Sequence, residues 1–536
     1  QAYHAGDYKK ALEYGVEGLK RAVREYRHGE GLELAEMGLE AAQRLEDEGE
    51  DRRYVDEQRF EILSQRVEIF NLQGRRQEQE QDLDEMQKFA EQLGDNEKRA
   101  LVLQKKGDWN DSKGNYPVAE QITLNALDLY RQNGNKRGQA DVLYILGGIY
   151  WSLGEYDKAL LFYEQSLEIG REIGNPKGQS DPLRGIGNVY SMQAKYEEAL
   201  RAYQQALDIC KRTSDLRGQG ANMINIGSVY FYTGRYEDAL RCYQQAQEIA
   251  HALGDRLMEE HCAGNIGNIY YVRGQYQEAL QYYQKALEIG KALNDQQGQG
   301  LSLSSMGNIY SILGQHKEAL HVYQQALEMR QSIGDQKGQG ITQISIGDVY
   351  YSLGHYEEAL AYYQQSLTIR RRIGDRQGEG TSLSSIGNAL CSLGKYEEAL
   401  DHLLHAIAIC REIGDKRVLA TSLESAGVVY RNLDRDAEAL RCHQESLEIC
   451  HETENLVGQG TNLHNIGNIY RDQQQYTEAL NFYKQACDIL TKAGAKNYQM
   501  VSLSFEGITH LECNDKEQAL FCSTQALQML EGGQSC

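Results

Sequence analysis

Four sets of side chains could carry chemistry, and each points to a different site. His402 and His405 stand three residues apart, with His443 further along. Positions three apart share one face of a helix, so these imidazoles could gather around a metal ion. No cysteine or carboxylate is committed beside them, whereas a zinc site normally needs four such donors. They therefore read as packed or surface histidines. Eleven cysteines occur without a single C-x-x-C pair, and Cys210, Cys410 and Cys450 repeat at one position. Reduced, buried, structural thiols are expected, which points to a cytosolic compartment. The G-Q-G triplets at Gly218–Gly220, Gly298–Gly300, Gly338–Gly340 and Gly458–Gly460 lack the preceding strand and third glycine of a dinucleotide loop. They read as turns between helices. No Ser/His/Asp set or carboxylate pair stands out, so no enzyme, cofactor or metal site is expected.

The fourth set is a row of asparagines. Asn188, Asn268, Asn308, Asp348, Asn388 and Asn468 recur at multiples of 40 residues, and Asn225, Asn265 and Asn465 occupy the position three residues earlier. On helices these positions share a face. An Asn amide both donates and accepts, matching the C=O and N–H of an extended peptide. Beside the row stand Trp151, Phe231, Tyr232, Tyr271 and Tyr351, whose column is taken later by Arg431 and Arg471. The competing reading is that the asparagines only satisfy hydrogen bonds between neighbouring helices.

The elements that must position this row repeat every 40 residues. Glycine holds one column from Gly147 to Gly507 and alanine another from Ala159 to Ala519. Such a period announces a repeat array. In the tile 338–378, Ile344, Gly347, Tyr350 and Tyr351 fall at helical spacing, and so do Tyr356, Ala359, Leu360, Tyr363, Leu367 and Ile369. Gly354 supplies a left-handed turn between the runs, and Gly374–Asp375 closes the second. The small residues at 347 and 359 let backbones approach while Tyr350 and Tyr363 fill the wider gaps. The fold class expected is all-α, a solenoid of stacked antiparallel helix pairs.

The runs L/I-G-x-x-Y, G-x-Y-x-x-A-L-x-x-Y and A/S-L-x-I resemble the tetratricopeptide repeat signature. The inter-repeat stretch G-D-x-x-G-x-G is similar to the 40-residue variety in kinesin light chains, the Pins family and bacterial multi-repeat sensor proteins. The resemblance covers at least residues 98–536. It implies a right-handed superhelix whose first helices line a concave groove, with asparagines at the matching positions gripping an extended peptide. Chaperone-tail-binding relatives add a lysine and arginine clamp for a terminal carboxylate. Here Leu301, Ser304, Thr381 and Ser384 stand at the equivalent faces, so no clamp is expected, and Arg184 and His464 are isolated candidates.

Charge narrows the partner. The net charge is −22, which argues against nucleic acid or an anionic membrane. Residues 1–97 hold 25 acidic against 14 basic side chains, half of that excess. No signal peptide or membrane-length apolar run is apparent, so a cytoplasmic location is expected. The chain starts at Gln1 in mid-pattern and reads as a piece of a longer protein. Its expected organisation is irregular acidic helices over 1–97, about eleven regular repeats over 98–531, and a tail at 532–536 behind a capping hairpin. In the first part, helices are predicted from Gly6, from Glu30, over Tyr54–Leu72 and over Arg75–Leu93, with Gly74 and Gly94 already in register. The opening A-G-D-Y-x-x-A-L-E-Y resembles helices that follow the oligomerisation module of bacterial signalling ATPases. The expected function is a protein–protein interaction scaffold or sensor region holding an extended peptide or protein partner. The alternative is a regulatory arm of a larger signalling ATPase, kinase or protease whose catalytic domain lies outside this chain. Self-association, or contact with another domain of the same polypeptide, is a third expectation.

Overall fold

Apolar residues at helical spacing, interrupted every twentieth position by a residue that tolerates positive φ, leave the chain little choice but short helices in antiparallel pairs. The computed structural model describes residues 7–24, 27–72 and 75–533. Among them run 26 helices, α1 (Tyr8–Arg24) to α26 (Lys516–Gly533), and no strand. They form two compact units, Gln1–Met258 and Glu259–Cys536. Within each unit, helices consecutive in sequence pack on one another. The predicted helices at the N-terminus appear as α1, α2 (His28–Asp47), α3 (Arg52–Leu72) and α4 (Arg76–Leu93). Gly6, Gly74 and the tail beyond residue 533 lie outside the described residues.

One tile shows how the pairs are built. Between α17 (Gln336–Ser352) and α18 (Tyr356–Arg372), Gly354 adopts φ 78° and its N–H donates to the Tyr351 carbonyl at 3.0 Å. His355 N–H reaches back to the Tyr350 carbonyl at 2.9 Å, so two orphan carbonyls are satisfied. A Cβ built on Gly347 would lie 2.5 Å from a ring carbon of Tyr363, and Ala359 opposite is wholly buried. Close approach, rather than turning, is why glycine holds that column.

The same reason corrects the reading of the G-x-G triplets. They are not loops. Gly218 and Gly220 lie inside α11 (Leu216–Tyr232), and Gly338 and Gly340 inside α17. The connection is only a short turn before each helix, with Ser214–Asp215 leading into α11 and Gly334–Asp335 into α17. Asp335 and Asp375 cap the next helix, accepting from the Gly338 and Gly378 N–H at 2.8 and 2.9 Å. A Cβ on Gly340 would meet the Arg370 guanidinium at 2.7 Å, and one on Gly378 would meet the same side chain at 2.5 Å.

Asp434, Gln474 and Asn514, which replace turn glycines, keep the left-handed turn at φ 57°, 61° and 63°. Such non-glycine turns are not confined to the late tiles, since Ala194 and Ser214 adopt φ 56° and 57°. For Ala194, Ser214 and Gln474 this costs about 1–2 kcal/mol against glycine, and for Asp434 and Asn514 less. The last hairpin, α25 (Lys496–Glu512) with α26, does not present the polar face expected of a cap. Leu520 is 70% exposed, and Phe521 and Leu527 lie open beside it.

Candidate peptide-binding face

The asparagine row is built from a tyrosine upward. In most regular tiles the second helix directs a tyrosine at the column glycine, where only hydrogen leaves room for the ring. That places the phenol oxygen beside the next residue of the first helix. Tyr203 donates to Asn188 Oδ1 at 2.8 Å, Tyr283 to Asn268 at 2.7 Å, Tyr323 to Asn308 at 2.6 Å and Tyr363 to Asp348 at 2.7 Å. One oxygen of each side chain is thereby committed to the repeat itself, as the packing reading required. The Asn268 and Asn308 amide nitrogens make no hydrogen bond among the described residues, so they remain as donors. Asn308 and Asp348 are exposed, and Asn265, Asn268 and Asn388 half-buried. Beside Asn388, the column glycine Gly387 faces Leu403, which stands in place of tyrosine and offers no hydroxyl.

Other members of the predicted set are less available. Asn225 donates to Asn188 Oδ1 at 3.3 Å, so these two serve each other in the first unit. Asn468 is 4% exposed and accepts from Tyr483 at 2.7 Å, which removes it from any surface; Asn465 beside it is half-buried. Phe231, Tyr271 and Tyr351 rest against Tyr236, Tyr276 and Tyr356 at the start of their partner helices, with ring centres 5.7, 6.1 and 5.2 Å apart. Tyr351 also bonds Ser392 Oγ at 2.9 Å. Trp151 and Tyr232 offer the more open aromatic faces. Arg431 is paired with Asp472 at 2.7 Å, and Arg471 approaches the same carboxylate at 3.4 Å. The two arginines thus share one negative charge, and Arg471 also lies 5.0 Å over the Phe505 ring. Arg184 pairs with Asp181 at 3.1 Å, so it is no free clamp.

One residue of this face escaped the sequence reading. Glu260 stands where other tiles carry Gly220, Gly300, Gly340 or Gly380. It is 3% exposed, and neither carboxyl oxygen has a hydrogen-bond partner among the described residues. Burial, helped by Asp295, pushes its pKa up to about 7. It lines a cavity of about 230 Å³ together with Asn265, Asn268 and Ser305. The broken glycine column was the available signal.

Among the described residues, His402, His405 and His443 do not form a cluster of donors. His443 is wholly buried, replaces the column tyrosine against Gly427, and donates from Nδ1 to Asn462 Oδ1 at 3.0 Å. His405 sits at the surface 3.7 Å from Asp401. His443 Nε2 has no partner, so a second proton there would be an unpaired buried charge, and burial holds its pKa down to about 4. His464, against Tyr483 and Phe505, is likewise held at about 4 by burial and by Arg431 and Arg471. A histidine depressed in the fold stabilises fully above its unfolded pKa near 6.5. Its contribution falls by about 1.4 kcal/mol per pH unit as the unfolded chain takes up the proton, down to the folded value. Thermal unfolding of the second unit should therefore weaken between about pH 6.5 and 4. The loss should shrink in His443→Tyr, which restores the column residue; equal acid sensitivity would assign it elsewhere.

The described cysteines are free, and Cys210, Cys410 and Cys450 are buried as expected, but Cys242, Cys391 and Cys442 are only half-buried and Cys513 is exposed. No described helix is long and apolar enough to cross a membrane.

The sequence profile of the tetratricopeptide repeat matches residues 113–172, 138–212, 218–292, 298–372, 378–452 and 458–532. No functionally curated protein matches the chain. Solved structures similar to it include a signal transduction ATPase with a tetratricopeptide repeat sensor from Pyrococcus horikoshii, 16% identical with TM-score 0.47 over 62% of this chain and 53% of that one. This chain thus spans about half the length of that ATPase. Two others are a Rap protein complexed with competence and sporulation factor, 14% identical with TM-score 0.49 over 68% and 99%, and the quorum sensor NprR from B. thuringiensis, 15% identical with TM-score 0.47 over 63% and 99%. With the repeat profile covering most of its length, the chain belongs to the tetratricopeptide repeat family of helical protein-binding scaffolds.

Proposed function

We propose that this scaffold holds an extended segment of a partner protein along the first helices of its second unit, with Asn265, Asn268, Asn308 and Asn388 donating to the segment's backbone carbonyls. The observation that carries this reading is the tyrosine hydroxyl fixed on Asn268 and Asn308. It turns each amide so that its oxygen is occupied and its N–H groups remain for a ligand. Asp348 cannot donate when ionised, so its tile would receive an N–H or a cationic side chain instead. Near Asn265 and Asn268 the Glu260 carboxyl favours a donor or basic group. The net charge of −22 supports a neutral to basic protein segment over nucleic acid, and a cytoplasmic setting suits the free thiols.

Peptides selected from a displayed random library against the full chain supply the probe. Asn268→Asp keeps the acceptor for Tyr283 and removes the donors, just as Asp348 serves Tyr363. It should weaken a selected peptide about three- to tenfold, the worth of one net hydrogen bond, with an unchanged melting temperature. Undiminished affinity would remove Asn268 from the contact and leave only its packing role.

A further inference from the structure

Across the last two tiles several positions that are apolar elsewhere change together. The column running from Leu146 through Ile186 and Ile346 to Ile466 ends in Glu506. The tyrosine column that includes Tyr350 and Tyr470 ends in His510. Cys487 stands where every other tile from Leu127 to Leu527 has leucine or isoleucine, except Gln247. A carboxylate and an imidazole placed in packing columns are costly unless something satisfies them.

The structure brings these residues to one place. Glu506 and His510 are one turn apart on α25, and Cys522 faces them from α26; a donor atom from each lies within 4.8 Å of the other two. Cys487, on α24 (Tyr476–Lys492), puts its Sγ 4.0 Å from a Glu506 oxygen. All four line a cavity of about 520 Å³, which Lys484, Asp488 and Gln525 also border. Cys522 is 3% and Cys487 8% exposed. Asp515 approaches His510 Nδ1 at 3.4 Å, which leaves Nε2 for an ion, the arrangement by which a carboxylate orients a metal-binding histidine through its other nitrogen.

We propose that Glu506, His510 and Cys522, joined by Cys487 after a side-chain rotation, bind one zinc-class divalent ion that fastens α24, α25 and α26 together. Two sulfurs, one imidazole and one carboxylate suit zinc or cobalt and disfavour magnesium or calcium, which take oxygen shells. Bonds of about 2.0–2.3 Å need donors roughly 3.3–3.8 Å apart, so closure asks for shifts of about an ångström. Burial raises both thiols, Cys522 to about 11 and Cys487 to about 12, and raises Glu506 with help from Asp488, while His510 and Lys484 oppose it. The ion would take the place of the two thiol protons, which leave to solvent. It would stiffen the hairpin whose outer face is the apolar surface at Leu520 and Phe521.

Cobalt(II) is the probe, added to the reduced full chain, with zinc as competitor. The expected result is one equivalent bound, with a thiolate-to-cobalt charge-transfer band and tetrahedral visible bands, both abolished by zinc. The double variant Glu506→Ile, His510→Tyr restores the residues other tiles carry, so it should keep its helicity by circular dichroism and lose that spectrum. Cys522→Ser should weaken the band without removing the fold. Absence of a stoichiometric thiolate band in the native chain would overturn the proposal. So would an equal band in the folded double variant, which would place the ion on other cysteines.

Discussion

Gly347→Val is expected to lower the stability of its tile by about 3 kcal/mol, at the upper end of what overpacking costs. A Cβ at that position would lie 2.5 Å from Tyr363 Cε1, well inside contact distance. The ring cannot retreat. Tyr363 is 2% exposed, its hydroxyl is bonded to Asp348 at 2.7 Å, and its own helix, α18, is fixed by Ala359 at zero exposure. Valine adds two methyls to a space already filled, so α17 and α18 must part. Gly264→Ala is the control, because a Cβ there meets nothing within 4 Å. It should stabilise by about 0.5–1 kcal/mol through helix propensity alone. In a solenoid the damage stays with the tile and its neighbours, so hydrogen exchange should rise in helices near residue 347 and stay unchanged in distant ones. A valine variant with native protection would mean that glycine is not required there by contact.

That glycine column shows what the sequence made legible and where it stopped. Helix number, pairing and turn position followed from a 40-residue period, because each tile repeats the same apolar spacing and the same left-handed residue. The G-x-G segments misled because glycine has two distinct uses. Gly354 serves positive φ, whereas Gly338 and Gly340 serve a cap and a neighbour that would collide with a Cβ. Composition alone does not separate them. The asparagine row was visible as positions, but its orientation was not, since the bond from Tyr283 to Asn268 joins residues 15 apart on different helices. Arg431 and Arg471 stand out in the sequence as two cations in one column, but the carboxylate they share, Asp472, lies one repeat beyond Arg431 and is not signalled by that column. Residues that break a column, such as Glu260 and Glu506, carried information that residues obeying it did not.

Combining Asn265→Ala, Asn268→Asp and Asn308→Asp is expected to lower affinity for a selected peptide by about 30- to 1000-fold. Each lost donor is worth about 0.5–1.5 kcal/mol net, and the three together several times that if the bonds act independently. The choice of aspartate matters. Alanine at 268 or 308 would strand the hydroxyl of Tyr283 or Tyr323, and a fall in binding would then be confused with a loosened repeat. Aspartate keeps the acceptor, and the tile of Asp348 and Tyr363 already folds with that pair. The Asn265 side chain carries no such bond among the described residues, so alanine is safe there. Melting temperature and helicity should accordingly match the native chain while binding falls. The companion variant Asn468→Asp should leave binding intact, because Asn468 is buried against Tyr483. If the triple variant binds its peptide as the native chain does, the segment lies elsewhere on the scaffold. Trp151 and Tyr232, the open aromatic faces of the first unit, would then be the next residues to replace.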